Sequence, residues 1–212
     1  MKKKTNVRYL TELALLMGVV LIMAYTPLGY LRTPWGVEVT FIVIPVAVGS
    51  LILGPAAGAF LGLVFGLTSF AQCFGTSPLG VIMLAENPIG TFFCCVVNRV
   101  VVGAVPGLIY LGLKRFEKLR TPGLALCCFL TPALNTVLYI AGNWLIFQDT
   151  WLNVAVATYG YEGGGGLSLL GFMMALVAVN GLAEAVSCLV LGTAICKALE
   201  KTVHRNEVRT AA

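Results

Sequence analysis

The stretch "LGPAAGAFLGLVFG", Leu53–Gly66, joins two apolar segments with almost no loop between them. Because Gly54 and Pro55 leave room only for a tight turn, the two segments are predicted to form a helical hairpin. Glycine then recurs at every fourth residue, at Gly54, Gly58, Gly62 and Gly66. This spacing keeps one helix face nearly bare of side chains and lets a neighbour approach closely. The neighbour is either another helix of this chain or a second membrane subunit.

The chain as a whole is also strongly apolar. Of its 212 residues, 58% are hydrophobic and 11% are charged, and the mean hydropathy is +0.92, well outside the range of water-soluble domains. Six segments of about 20 residues or more are candidates to cross a bilayer: 9–31, 36–54, 56–73, 89–113, 121–147 and 169–196. None alternates as a barrel strand does, so they are predicted to be helices. We therefore expect an all-α membrane protein in which residues 1–212 form a single domain of six transmembrane helices.

The basic residues predict how this domain is oriented. If six helices alternate in direction, three basic groups fall on the same side: Lys2–Arg8, Lys114–Arg120 and Lys197–Arg209. Only Arg32 falls on the other side. Because basic flanks stay in the cytoplasm, both termini are predicted to be cytoplasmic. The net charge of +5 is thus a topology signal and does not indicate nucleic-acid binding.

Three longer connections lie on the predicted outer side, at residues 26–38, 74–88 and 148–168. A lid over a binding site is expected among them. The last contains "TYGYEGGGG", whose glycine run permits large backbone motion. A flexible connector with no gating role explains this composition equally well.

Arg99 stands inside the apolar run "FCCVVNRVVVGAVPGLIY", Phe93–Tyr110. It lies about ten residues, or about 15 Å, into the predicted fourth helix, and its side chain leans toward the helix start. A charge at such a depth costs roughly 2.5–3.5 kcal/mol unless it faces water or a partner. Because Gly103 and Gly107 follow at four-residue steps, its face of the helix is predicted to point into the bundle.

Polar residues on two further helices lie at comparable depth. The predicted fifth helix carries one stripe of polar residues, Asn135, Tyr139 and Asn143. The predicted sixth helix carries another, Asn180, Glu184 and Ser187. Helices four to six are therefore predicted to line one polar pocket.

Two interpretations of this pocket are open. In the first, Arg99 pairs with Glu184 or Glu86, and the asparagines only tie helices together. In the second, Arg99 binds an anion, because a planar, permanently charged donor fork set among amides suits a ligand carboxylate. The two interpretations are compatible if Glu184 pairs with Arg99 in the empty site and a ligand then displaces Glu184.

The sequence lacks the residues that catalysis or metal binding requires. The one histidine, His204, is in the tail, and no paired carboxylates, metal-ligand cluster or activated nucleophile share a depth. The seven cysteines have no Cys-x-x-Cys spacing and are interpreted as buried packing residues. No phosphate-binding loop is present. We therefore expect no enzymatic activity, no metal and no cofactor.

Several motifs extend along the chain: "TPLGYL", "IPVAVGSLILGPAAGAFLGLVFGLTS", "NRVVVG", "ALNTVLYIAG" and "VNGLAEAV". With these, the chain resembles, nearly end to end, the substrate-binding membrane subunits (S components) of energy-coupling factor (ECF) vitamin transporters, most closely the pantothenate-type branch. The longest motif reflects packing, whereas the shorter ones carry the likeness to the branch. The family pattern often has a proline before the helix-four arginine, where this chain has Asn98.

The resemblance implies roles for the polar residues. Arg99 and Asn135 would contact the vitamin, while Asn180 and Glu184 would complete or brace the pocket. Asn98, beside Arg99, belongs to the same candidate set, as do Tyr139 and Asn143 on the helix-five stripe.

The resemblance also implies partners and a location. The chain would be a multi-pass protein of the bacterial cytoplasmic membrane that binds a vitamin, a transmembrane coupling subunit and two cytoplasmic ATPase subunits. The small-residue face of helix one, at Ala14 and Gly18, would contact the coupling subunit. Two alternatives stay open: a stand-alone secondary transporter, although the two halves show no evident repeat, or an S component for riboflavin, folate or thiamine.

Overall fold

The computed structural model describes residues 7–27, 29–32, 38–161 and 166–201. Nearly all of them are helical, in nine helices: α1 Val7–Tyr25, α2 Val43–Ile52, α3 Pro55–Gln72, α4 Pro78–Glu86, α5 Pro88–Phe92, α6 Asn98–Leu113, α7 Glu117–Ile146, α8 Gln148–Tyr159 and α9 Gly166–Ser187. Wider π-helical turns follow α5 at Phe93–Val97 and α9 at Cys188–Gly192, and the last helix continues to Lys201. Strands β1 Tyr30–Arg32 and β2 Glu38–Thr40 pair antiparallel as a short hairpin.

Helices long and apolar enough to cross a bilayer number five among the described residues: Val7–Tyr25, Pro55–Gln72, Pro88–Leu113, Glu117–Ile146 and Asn180–Lys201. The predicted span at 36–54 is not among them, so six membrane-length helices are not confirmed. Residues 38–40 of that span form β2, and α2 has only 10 residues, about 15 Å at the usual helical rise. From Val43 to Leu51 every residue of α2 is buried. Its apolar sequence therefore reflects enclosure by protein.

The glycine series packs inside the chain, against α6. A Cβ atom added at Gly58 would collide with the carbonyl oxygen of Gly103, and one added at Gly62 would collide with that of Arg99. At Gly66 it would lie 2.8 Å from the carbonyl oxygen of Cys95. Helices α3 and α6 thus run antiparallel with their backbones in contact, which answers the question that the sequence left open. The prediction that the glycine face of α6 points into the bundle is confirmed.

Helix α2 completes this close-packed core. The Ser50 hydroxyl donates to the carbonyl of Gly103 at 2.5 Å, and a Cβ at Gly107 would lie 2.5 Å from the same hydroxyl oxygen. The turn into α3 uses Gly54 at φ 104°, a backbone region that other residues rarely adopt. The predicted tight hairpin between residues 52 and 55 is confirmed.

One end of the bundle, here called the basic end, carries Lys114, Arg115, Lys118, Arg120, Lys197 and Lys201. The Tyr110 hydroxyl donates to Glu200 Oε1 at 2.9 Å, and Arg120 Nη2 lies 3.5 Å from the same oxygen. This contact joins the end of α6, the start of α7 and the C-terminal helix. Lys2, Lys3, Lys4, Arg205 and Arg209 lie outside the described residues.

The opposite end, here called the hairpin end, contains more helix than expected. The predicted connections at 74–88 and 148–168 contain the short helices α4 and α8. Helix α4 has a recognisable start, because the Ser77 hydroxyl accepts the Gly80 N–H at 3.3 Å and Pro78 occupies the first helical position. Within the glycine run, residues 163–165 lie outside the described residues. All seven cysteines are free and buried, as predicted.

Candidate functional site

Arg99 is positioned by the π-helical turn that precedes it. At the exit of this turn, the Asn98 N–H donates to the carbonyl of Phe93, five residues back. Where the backbone hydrogen bonds change from a five-residue to the usual four-residue spacing, one carbonyl is left without a backbone N–H donor. The guanidinium leans back toward the helix start, as predicted, and Nη1 donates to the carbonyls of Cys94 at 3.3 Å and Cys95 at 3.0 Å.

The guanidinium lies over an aromatic ring from a different helix. Arg99 Cζ lies 4.5 Å from the ring centroid of Phe65, which is on α3 and is 1% exposed. This is a cation–π contact. Arg99 Nε is buried and has no hydrogen-bond partner within the described part of the chain. Carbonyl dipoles and a ring face therefore hold the charge, and one edge of the donor fork is left unused.

The predicted ion pair of Arg99 with Glu184 or Glu86 is not formed. Among described side chains, no carboxylate oxygen lies within 4.0 Å of the guanidinium. Glu184 Oε1 instead accepts the backbone N–H of Thr40 at 2.6 Å, and Glu86 accepts a hydrogen bond from the hydroxyl of Thr150. Both acids are thus engaged with other groups.

Glu184 nevertheless belongs to the same region as Arg99. It is 6% exposed, it lies beside the Asn135 side chain, and it is within electrostatic range of Arg99. A Cβ at Gly181 would lie 3.0 Å from the hydroxyl oxygen of Thr136, so α9 packs on α7 at this level. Asn180, one turn before Glu184, is also buried. Glu184 therefore lies beside Asn135 and within electrostatic range of Arg99, and Asn180 is one turn earlier on the same helix.

Two of the predicted site residues use their amides within the protein. Asn98 Nδ2 donates to the carbonyl of Leu138 at 3.1 Å, which ties α6 to α7. Asn143 Nδ2 donates to the carbonyl of Tyr139 at 2.8 Å, and its Oδ1 accepts the indole N–H of Trp151 at 3.0 Å. Asn143 thereby anchors α8 to α7.

Comparison with known proteins identifies the family. The profile described as "ECF transporter, substrate-specific component" matches residues 8–196. This chain belongs to that family. The resemblance seen in the sequence is confirmed, and the protein is a multi-pass membrane component of a transporter family, which is not a family of enzymes.

Curated relatives of this S component carry pantothenate in their names. The chain is 32% identical, over 211 residues, to "Pantothenic acid transporter PanT" of Lactococcus lactis subsp. cremoris strain MG1363. The alignment covers 94% of this chain and 97% of that relative. It is 28% identical, over 212 residues, to "Pantothenate transporter PanT" of Leuconostoc mesenteroides subsp. mesenteroides, with 95% and 97% coverage.

Sequence reasoning missed two residues that contact the candidate site residues of this S component. Phe65 supplies the ring under Arg99, and its place between Gly62 and Gly66 on the close-packed edge of α3 was a usable signal. Thr40 supplies a backbone donor to Glu184. No pattern in the sequence indicates that contact, because it depends on how the hairpin folds back onto α9.

The small-residue patch of α1 is uncovered within this S component. Ala14 is exposed, and a Cβ added at Gly18 would meet nothing within 4 Å. Only 11% of α1 is buried. The patch is thus accessible to lipid or to another protein.

Proposed function

We propose that this chain is the substrate-binding subunit of an ECF-type importer, and that it captures pantothenate from outside the cell and delivers it through an ATP-driven partner complex. The observation that carries the proposal is the Arg99 guanidinium. It is held by two carbonyls and a ring, and no described carboxylate lies within 4.0 Å of it. The names of the curated relatives support pantothenate as the substrate.

The chemistry of pantothenate matches the polar groups near Arg99. The vitamin has a carboxylate at one end and an amide and two hydroxyls along its length. In our proposal, Arg99 takes the carboxylate, because an arginine fork suits a carboxylate better than any other side chain does. Asn135 and Asn180 bind the amide and hydroxyls, with Tyr139 at the edge, and Glu184 accepts from a hydroxyl.

Asn98 and Asn143 have a supporting role in this proposal. Their amides already bond to Leu138, Tyr139 and Trp151. Satisfied buried amides hold neighbouring elements in one arrangement. They therefore brace the walls of the pocket on which the other side chains stand.

The proposed orientation places the basic end in the cytoplasm of a bacterial cell and the hairpin end outside. The sixth crossing is then made by β2 together with α2, because irregular backbone is tolerated at membrane depth when protein encloses it. In our proposal the β1–β2 hairpin is the cover of the site. Helix α8 is fixed at its start by Thr150 and Trp151, so it is the less suitable lid.

The proposed partners are a transmembrane coupling subunit and two cytoplasmic ATPases. The chain has no phosphate-binding loop of its own, which agrees with ATP hydrolysis elsewhere. The exposed patch at Ala14 and Gly18 is the proposed contact with the coupling subunit, because small residues let helices approach closely in lipid.

The test is binding and transport by the purified chain. Calorimetric titration is expected to show tight binding of pantothenate and no comparable binding of riboflavin, folate or thiamine. Liposomes that contain the chain alone are expected to accumulate almost no labelled pantothenate, and addition of the partner complex with ATP is expected to start uptake. Uptake by the chain alone would favour a secondary transporter, and preference for another vitamin would reassign the substrate.

A further inference from the structure

We propose that the π-helical turn Phe93–Val97 and the ring of Phe65 are an orienting device for Arg99, which makes the site select an anionic substrate over an uncharged one of the same shape. The inference rests on the proposed function, in which Arg99 binds the carboxylate of pantothenate. Phe65 is in this view a positioning residue, because it acts through Arg99.

The two contacts constrain the guanidinium in different directions. Nη1 donates hydrogen bonds to the carbonyls of Cys94 and Cys95. These two bonds fix one corner of the planar guanidinium. The ring of Phe65, whose centroid lies 4.5 Å from Cζ, covers the guanidinium from one side and limits its movement in that direction. With Nη1 bonded to two carbonyls and the ring on one side, the guanidinium has little freedom to rotate.

The edge of the guanidinium that suits a carboxylate has no hydrogen-bond partner among the described residues. Nε and Nη2 form the side of the guanidinium that binds two carboxylate oxygens in parallel. Among the described residues, Nη2 has no hydrogen bond, and Nε is buried without a partner. A buried donor without a partner is rare and calls for a functional explanation. Protein encloses Nε, so a neighbouring group must shift as the carboxylate enters.

The device also leaves the charge uncompensated. Carbonyl dipoles and a ring quadrupole stabilise a cation without neutralising it. Had Glu184 or Glu86 paired with Arg99, an entering carboxylate would have had to displace an acid of the protein. In the arrangement described here, each of these acids already accepts a hydrogen bond from another group.

The test compares two ligands that differ in charge. Pantothenate carries the carboxylate, and panthenol has an uncharged hydroxymethyl group in its place. The dissociation constants of both are measured by calorimetry on the purified full chain, and their ratio reports the selection for charge. We expect the wild type to prefer pantothenate by at least roughly tenfold, as a charge-assisted bidentate contact implies.

Replacement of the ring separates orientation from packing. Phe65→Leu keeps an apolar group but removes the quadrupole, so the preference for pantothenate is expected to fall roughly 3- to 30-fold, mostly through weaker pantothenate binding. Phe65→Tyr keeps the ring face and should restore the ratio to within about twofold of wild type. If Phe65→Leu does not purify as a monodisperse protein, Phe65→Met makes the same comparison.

Phe147→Leu is the matched control. Phe147 is as deeply buried as Phe65, and its ring makes no contact with the Arg99 guanidinium. This change is expected to alter both dissociation constants by the same factor. If Phe65→Leu also leaves the ratio unchanged while the wild type prefers pantothenate, the orienting role is overturned and the proposed function stands. If the wild type does not bind pantothenate, the proposed function itself fails.

Discussion

Thr40 and Glu184 are 144 residues apart in the chain, yet the Thr40 backbone N–H donates to Glu184 Oε1 at 2.6 Å. The bond joins the end of the β1–β2 hairpin to α9, beside Asn135. A carboxylate that sequence reasoning assigned to Arg99 or to a ligand therefore also holds the segment proposed to cover the site. In the proposed function, ligand binding and closure of the hairpin share this one side chain.

Removal of the carboxylate should loosen the hairpin. Hydrogen bonds to charged groups contribute about 1.5–3 kcal/mol, so Glu184→Ala is expected to raise amide hydrogen exchange at residues 38–42 by roughly tenfold or more. Glu184→Gln keeps an acceptor without the charge and should give an intermediate increase. Exchange is measured by mass spectrometry on the full chain. Unchanged exchange in Glu184→Ala would show that the hairpin is held by other contacts.

Arg99 should dominate affinity for pantothenate. Arg99→Ala is expected to raise the dissociation constant by at least roughly tenfold, since buried charge-assisted hydrogen bonds are lost. Arg99→Lys should recover only part of the affinity, because an ammonium lacks the planar fork. Calorimetry measures both.

Arg120→Ala provides the control for these variants. Arg120, unlike Arg99, has a carboxylate neighbour, Glu200, and it lies at the basic end with its side chain 56% exposed. Its removal should leave the dissociation constant within about twofold of wild type, because exposed ion pairs contribute little. An unchanged constant in Arg99→Ala would refute the proposed contact with the carboxylate.

The close contact of α3 with α6 should not tolerate a methyl group. At Gly62, an added Cβ would collide with the carbonyl oxygen of Arg99, which is backbone and cannot move aside as a side chain does. Gly62→Ala is expected to destabilise the protein by about 1–3 kcal/mol and to weaken ligand binding through displacement of Arg99. Thermal unfolding in detergent and calorimetry measure the two effects.

Gly112→Ala makes the same chemical change where space is available. Gly112 is on α6, and a Cβ there would meet nothing within 4 Å. Because alanine favours a helix more than glycine does, this variant should unfold at the same temperature as wild type or slightly higher. Equal melting temperatures for Gly62→Ala and Gly112→Ala would contradict the tight packing of the two backbones.

Much of the fold could be predicted because lipid and close packing impose simple patterns. Long apolar stretches account for the five membrane-length helices, and the four-residue glycine spacing accounts for the contact of Gly58, Gly62 and Gly66 with α6. The extent of α2 could not be predicted in this way, since uniform hydrophobicity does not distinguish a helix in lipid from one enclosed by protein. At Ser77 and Pro78, by contrast, a readable helix start was overlooked.

The candidate site was predictable in composition and less so in its contacts. Depth and helical spacing predict Arg99, Asn135 and Glu184 in one region, and Glu184 lies beside Asn135 and within electrostatic range of Arg99. The π-helical turn before Arg99 has no local sequence signal, so the carbonyls that hold the guanidinium could not be foreseen. The bond of Glu184 to Thr40 depends on tertiary folding over 144 residues, which periodicity does not encode.

The exposed patch of α1 should matter for assembly and not for ligand capture. A Cβ at Gly18 meets nothing within 4 Å, so Gly18→Leu has room within the chain but would keep a partner helix at a distance. We expect this variant to bind pantothenate as wild type does and to lose most co-purification with the coupling subunit. Gly112→Leu, at an exposed glycine of α6 where a Cβ also meets nothing within 4 Å, is the control and should co-purify normally. Full co-purification of Gly18→Leu would place the coupling subunit on a different surface.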